Sequence, residues 1–207
     1  MIEKLVNTMA ELDEDALFDE IRAEMAAGTS TDEIMASLQD GMFEVGRRFQ
    51  TQEYFLTDLI MSGELFKESV ELLGLTEDES VNSVGTFLIG TVYSDIHDIG
   101  KNIAASVLKS NGFKVVDIGI NVPKEDFVKA VREAQPQIIG ISCLLTTAFD
   151  HVKELINALK AEGLTEGRFV IIGGGPVDAH TVAYTGADAY CNDAQDGMMQ
   201  ARKFLGV

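Results

Sequence analysis

The sequence predicts two unlike parts in one chain: a four-helix bundle over residues 1–75 and, beyond a linker at 76–83, an α/β domain over 84–207 with a doubly wound, five-stranded parallel sheet. Three observations carry this. Apolar residues recur at helical spacing up to about residue 73 and lose that spacing afterwards. From residue 84 onward, short apolar runs alternate with helix-length segments. Charge divides near the same place, with 20 acids and 5 bases in residues 1–80 but 14 and 11 in residues 81–207.

The first helix is marked by Ile2, Leu5, Val6 and Met9, and the second by Leu17, Ile21 and Met25. In "GTSTDE" (28–33) the glycine stops the second helix, and Ser30 or Thr31 caps the third, which runs through Ile34, Leu38, Met42, Val45 and Phe49. The fourth segment, "YFLTDLIMSGELFKESVELL" (54–73), is apolar on more than one face, through Phe55, Leu59, Ile60, Met61, Leu65 and Phe66. Such a helix has something to cover on two sides.

"GLTEDESVNS" (74–83) is polar and breaks the period, which puts the linker there. The strands follow as "VGTFLIGTV" (84–92), "KVVDIGI" (114–120), "QIIGISCLL" (137–145), "RFVIIGGG" (168–175) and "ADAYC" (187–191). Buried strands alternating with helices imply βαβ units and a Rossmann or flavodoxin-like sheet covered on both faces. Ligands of such sheets bind beyond the carboxyl ends of the strands.

Composition narrows the function. The 34 acids against 16 bases are unevenly spread, and the acidic first part, residues 1–80, repels nucleic acid and anionic membranes, which leaves protein partners with basic patches. No apolar run reaches the roughly 18 residues that would span a bilayer, and the charged start "MIEKLVNTMAELDED" is no signal peptide, so a cytoplasmic protein is expected. Cys143 and Cys191 lack C-x-x-C spacing and read as reduced, small apolar residues.

Small and polar residues gather at the predicted strand ends. They are Ser94, Asp95, His97, Asp98 and Gly100 after the first strand, Ser142, Cys143, Leu144 and Thr146 after the third, Gly173, Gly174 and Gly175 after the fourth, and Tyr190, Cys191, Asn192 and Asp193 after the fifth. Taken singly, His97 is a loop histidine paired with a carboxylate or else a metal ligand or proton switch. The glycines alone make a tight turn, and Asp95 with Asp98 is a possible acid/base pair. The charge in "SDIHDIG" is wrong for a phosphate cradle, which excludes nicotinamide and P-loop assignments.

Taken together, these residues resemble the cobalamin-binding domain of methionine synthase and of the corrinoid proteins in methylamine, methanol and methoxyaromatic methyltransferase systems. The pattern D-x-H-x-x-G is Asp95-Ile96-His97-Asp98-Ile99-Gly100, S-x-L is Ser142-Cys143-Leu144, and the glycine pair falls within Gly173-Gly174-Gly175. Residues 1–75 are similar to the four-helix cap domain that accompanies this module. The resemblance implies base-off, His-on cobalamin, with His97 the ligand to cobalt and Asp95 its hydrogen-bond partner on the other ring nitrogen. It also implies a slot for the detached base and its tail, lined by Ser142, Thr146 and the three glycines, with Tyr190, Asn192 and Asp193 as further candidates. Phe55 and Met61 become candidates to cover the corrin from above. The serine that completes the family's relay is Ala148 here, which leaves Thr147 or water to stand in.

The function implied is that of a methyl carrier cycling between cob(I)alamin and methylcobalamin. It takes the methyl group from a substrate-specific methyltransferase and passes it to a second one with a pterin or thiol acceptor, and a reductive activase is the further partner. Catalysis by the chain alone is not expected. Two other readings stand beside it: the cobalamin subunit of an adenosylcobalamin-dependent isomerase, which needs a separate substrate-binding chain, and a cobalamin-responsive regulator, for which the acidic N-terminal part suits DNA poorly.

Overall fold

The structure, a computed structural model, describes residues 1–75 and 83–207. The linker expected at 76–83 lies, apart from Ser83, outside the described residues. The chain divides into two compact units, Met1–Asn82 with Lys109–Gly112, and Ser83–Leu108 with Phe113–Val207.

The first unit contains α1 (Glu3–Ala10), α2 (Glu14–Ala27), α3 (Thr31–Gln50) and α4 (Leu56–Leu72). Asp13 caps α2 through the Ala16 amide, and Ser30, not Thr31, caps α3 through the Glu33 amide. Gly28 ends α2 in the left-handed conformation, as its place in the sequence predicts. The shared core includes Leu5, Met9, Leu17, Ile21, Ile34, Leu38, Met42, Leu65, Phe66 and Val70. Met25, one turn beyond Ile21, is exposed instead. Tyr54 and Arg48 both donate to the carbonyl of Ala10, tying the end of α1 to the turn between α3 and α4. On α4, Leu59, Leu65, Phe66 and Val70 are buried, whereas Leu56, Ile60 and Met61, with Phe55 just before them, are exposed.

The second unit is a parallel sheet of β1 (Gly85–Thr91), β2 (Phe113–Asp117), β3 (Ile138–Ser142), β4 (Phe169–Gly173) and β5 (Ala189–Cys191), in the order β2-β1-β3-β4-β5. Its helices are α5 (Ile99–Ser110), α6 (Lys124–Ala134), α7 (Phe149–Ala161), α8 (Ala179–Thr185) and α9 (Ala194–Leu205), with a 3-10 turn at Thr146–Ala148. One face of the sheet packs Leu88, Ile139, Ile141, Val170 and Ile172 against α6 and α7, through Phe127, Val131, Val152 and Leu155. The opposite face packs Phe87, Ile89, Phe113 and Ile171 against α5 and α9, through Ala105, Leu108, Met198 and Ala201. Among the described residues, then, nine helices and an all-parallel five-stranded sheet form the architecture expected from the sequence.

The strands stop short of the apolar runs that announce them. Cys143 still donates to the Gly173 carbonyl at 2.8 Å, but the amides of Leu144 and Leu145 leave the ladder for a side chain. That side chain belongs to the site. Among the described residues, no helix is long and apolar enough to cross a membrane.

Candidate functional site

Strand order reverses between β1 and β3, and the loops after these two strands part there toward opposite faces of the sheet. Such a switch point opens a crevice beyond the carboxyl ends of the strands. Asp95 fills it. Its side chain is fully buried and accepts four hydrogen bonds, from the His97 amide (3.0 Å) and His97 Nδ1 (2.8 Å) on Oδ1 and from the amides of Leu144 (2.7 Å) and Leu145 (3.1 Å) on Oδ2. Burial pushes this carboxyl up, but the backbone and ring bonds from His97 and the two leucine amides outweigh it and hold Asp95 below the usual aspartate range.

An ionised carboxylate can only accept, so Nδ1 of His97 carries a proton, and in the neutral imidazole the lone pair is therefore on Nε2. The imidazole side chain is 45% exposed, and among the described residues Nε2 has no partner. A fixed tautomer with a free, accessible nitrogen is what a metal-ligating histidine requires. Ile96, Ile99 and Leu144 are exposed nearby in the chain or across the crevice, as are Tyr93 and Ile120. Exposed apolar side chains thus share the strand-end loops with a single nitrogen donor, a combination that suits a metal carried in a large organic ring.

Further bonds brace the loop. Ser94 adopts φ 72° and its amide donates to Asn121 Oδ1 at 2.7 Å, while the Asn121 amide donates to the Asp95 carbonyl and to Thr91 Oγ1. Thr91 in turn donates to the Asp95 carbonyl at 2.5 Å. Buried Lys101 pairs with Asp117 and also donates to Asn102. Thr91, Asn121, Lys101 and Asp117 escape a reading of the sequence that looks only for groups able to touch a ligand. Asn121 did carry a signal, as a polar residue just after the second strand run.

The other expected residues differ in what surrounds them. Ser142 is half-buried and Thr146 exposed, and neither hydroxyl has a partner among the described residues. Asp98 starts α5 by accepting from the Asn102 amide at 2.8 Å, and Gly100 lies in the first turn of that helix with nothing within 4 Å of where a Cβ would sit. The fold leaves that space open. Gly174 is the opposite case, with φ 148° and a Cβ position only 1.9 Å from the Cys143 carbonyl oxygen, so the β3 and β4 ends meet there because no side chain intervenes. Gly173 faces Cys191 Sγ and Gly175 faces Leu144.

Asn192 and Asp193 serve as turn and cap: Asn192 donates to Asp196, and Asp193 accepts from the Asp196 amide at 2.7 Å. Half-buried Tyr190 packs against the core on the α6 and α7 face and accepts from Gln200 through its carbonyl. Phe55 and Met61 belong to the first unit, where both are exposed. Thr147 is exposed and Ala148 buried, and the four donors to Asp95 are His97 and the leucine amides, with no hydroxyl among them. Both thiols are protonated at neutral pH: burial and the Asp95 charge push Cys143 up to about 12, and burial with Asp196 and Asp193 does the same to Cys191. Neither is a nucleophile at that pH.

Comparison with known proteins gives the family. Two models, each described as a B12 binding domain, match residues 85–202 and 1–73. A corrinoid protein of Desulfitobacterium hafniense (strain Y51) is 38% identical over 182 residues, 84% of this chain and 83% of that protein. Dimethylamine corrinoid protein 1 of Methanosarcina acetivorans is 32% identical over 207 residues, covering 99% of this chain and 97% of its own. Among solved structures, the methanol:cobalamin methyltransferase complex of Methanosarcina barkeri superposes with a TM-score of 0.84 at 28% identity, over 98% of this chain and 78% of the matched one.

Proposed function

We propose, from the premise that this chain belongs to the B12 binding domain family and binds a corrinoid, that it is a methyl carrier holding its cofactor base-off, with His97 as the protein ligand to cobalt. When bound, the corrinoid supplies a cobalt centre able to accept and release a methyl group. The chain's own residues do the rest. Asp95 keeps the proton on Nδ1 and the ring in place, and the leucine amides of the β3 loop keep Asp95 in place. The exposed apolar side chains of Ile96, Ile99 and Leu144 exclude water beside the ring. Ser142 and Thr146 offer hydroxyls to the detached tail, and Gly175, without a side chain, offers its backbone.

The observation that carries the reading is His97 Nε2, free and accessible on a tautomer set by a buried carboxylate. Membership among corrinoid proteins of methyltransferase systems supports a substrate-specific methyltransferase as partner. A second methyltransferase with a pterin or thiol acceptor and a reductive activase complete the scheme we propose, in the cytoplasm. In this scheme the bundle of residues 1–75 acts as a cap, its exposed Phe55, Leu56, Ile60 and Met61 being surface of the kind that shields a methyl group from water.

The test is electron paramagnetic resonance of the protein reconstituted with Co(II) corrinoid and nitrogen-15 histidine. Label-dependent splitting that disappears in His97→Ala supports the reading. Cofactor binding without any effect of the label would remove His97 from cobalt and end it.

A further inference from the structure

α9 begins on the same rim as the His97 loop, and its buried face presents Gln195, Met198 and Ala201. Met198 and Ala201 belong to the core that α9 shares with α5, the helix that starts at the His97 loop. Gln195, one turn nearer the rim, therefore lies on the face of the sheet that α5 and α9 cover, below the rim that carries the His97 loop. Its side chain is out of place for a core position. The residue is 1% exposed, and its amide oxygen Oε1 is buried with no hydrogen-bond partner. A buried acceptor left unpaired is rare and unfavourable, because it has lost water and gained nothing.

The polar neighbours in the chain cannot supply the missing donor. Asp193 and Asp196 are acceptors as well, already engaged with the Asp196 amide, Asn192 and Gln200. Small residues occur at the same end of the sheet: Gly197, in the same first turn of α9, lies beside Cys191, and Gly173 pairs with Cys191 across β4 and β5.

We propose that Gln195 recognises the nucleotide tail of the corrinoid, its buried amide oxygen accepting a hydrogen bond from a donor on that tail. This rests on the corrinoid reading above and adds a residue that discriminates among cofactors. Two donors have the right chemistry: a ribose hydroxyl, present in every tailed corrinoid, and the amino group of a purine lower base, which dimethylbenzimidazole lacks.

The test is spectrophotometric titration of the full chain with cobalamin, with an adenine-bearing corrinoid and with cobinamide, which has no nucleotide, comparing the wild type with Gln195→Leu. The variant is expected to bind tailed corrinoid about tenfold more weakly, to bind cobinamide as the wild type does, and to melt no lower than the wild type without ligand. Equal loss for both tailed corrinoids identifies the ribose hydroxyl, and loss confined to the adenine form identifies the base. Unchanged affinity for both tailed forms overturns the proposal, as does an equal loss that includes cobinamide. Should Gln195→Leu melt lower, Gln195→Met, closer in shape, takes its place in the same titration. A wild type that binds no corrinoid refutes the functional reading itself, and the proposal with it.

Discussion

The loops after β1 and β4 leave the same rim of one sheet, yet a carboxylate holds the first and a missing side chain makes the second. Around Asp95, four donors converge on one buried charge, so the β1 loop is specified by hydrogen bonds that a single atom change can unbalance. At Gly174 the β3 and β4 ends approach so closely that a Cβ would meet the Cys143 carbonyl at 1.9 Å, so that loop is specified by volume. The difference teaches where function and folding separate. The hydrogen-bonded loop presents an accessible nitrogen to the outside, whereas the packed loop presents backbone and lets the ends of β3 and β4 approach each other.

The largest expected effect is at Gly174. Gly174→Ala places a methyl group inside the Cys143 carbonyl and a side chain at a φ of 148°, so a loss of at least about 4 kcal/mol, or failure to fold, is expected. Urea unfolding measures it, and a variant of native stability would show that this loop can relax and that the contrast is false. Next comes Asp95→Asn. One amide carries one acceptor oxygen, which cannot serve both the His97 side and the Leu144–Leu145 side, so about 3 kcal/mol of stability should go with the charge-assisted bonds. The His97 signal in the resonance experiment should weaken too, and a variant unchanged in both readouts would deny the carboxylate its organising role.

Gly100→Ala sharpens the comparison from the other side. Nothing lies within 4 Å of the added methyl group, so the unliganded chain should keep or gain about 0.5 kcal/mol, the ordinary advantage of alanine in a helix. Corrinoid affinity should nonetheless fall about tenfold if the ring needs that space, and titration against the wild type decides it. The smallest effect concerns pH. The Thr181 amide and hydroxyl hold Asp178, the cap of α8 after the glycine loop, below the usual carboxylate range. A lowered folded-state value means that its contribution is present above the unfolded value of about 3.9 and is lost as pH falls through the folded one. Asp178→Asn should lack that share of the acid loss, seen as a shallower fall of the urea midpoint below about pH 4.

Much of the fold was legible because periodicity is local. Four helices and five strands follow from where apolar residues recur, and Ser30 and Gly28 mark their boundaries by side-chain chemistry alone. The overrun of the strand at residues 143–145 shows the limit. Apolar side chains there read as strand, but two of the amides are claimed by Asp95, 49 and 50 residues earlier in the chain. Asn121 and Gln195 were missed for the same reason: neither belongs to a motif, and each acquires its meaning from what surrounds it.

What the sequence by itself determined is the type and order of the elements, the acidic character of the helical part, and the presence of Asp95, His97 and the glycines at strand ends. Only the tertiary structure decided that Asp95 would be buried between the ends of β1 and β3, that His97 would keep Nε2 free, and that Gln195 would face the core shared by α5 and α9. The physical reason is that helix and strand preferences act over a few residues. The partner of a carboxylate or an amide depends on which strands become neighbours, and here that is the order β2-β1-β3-β4-β5.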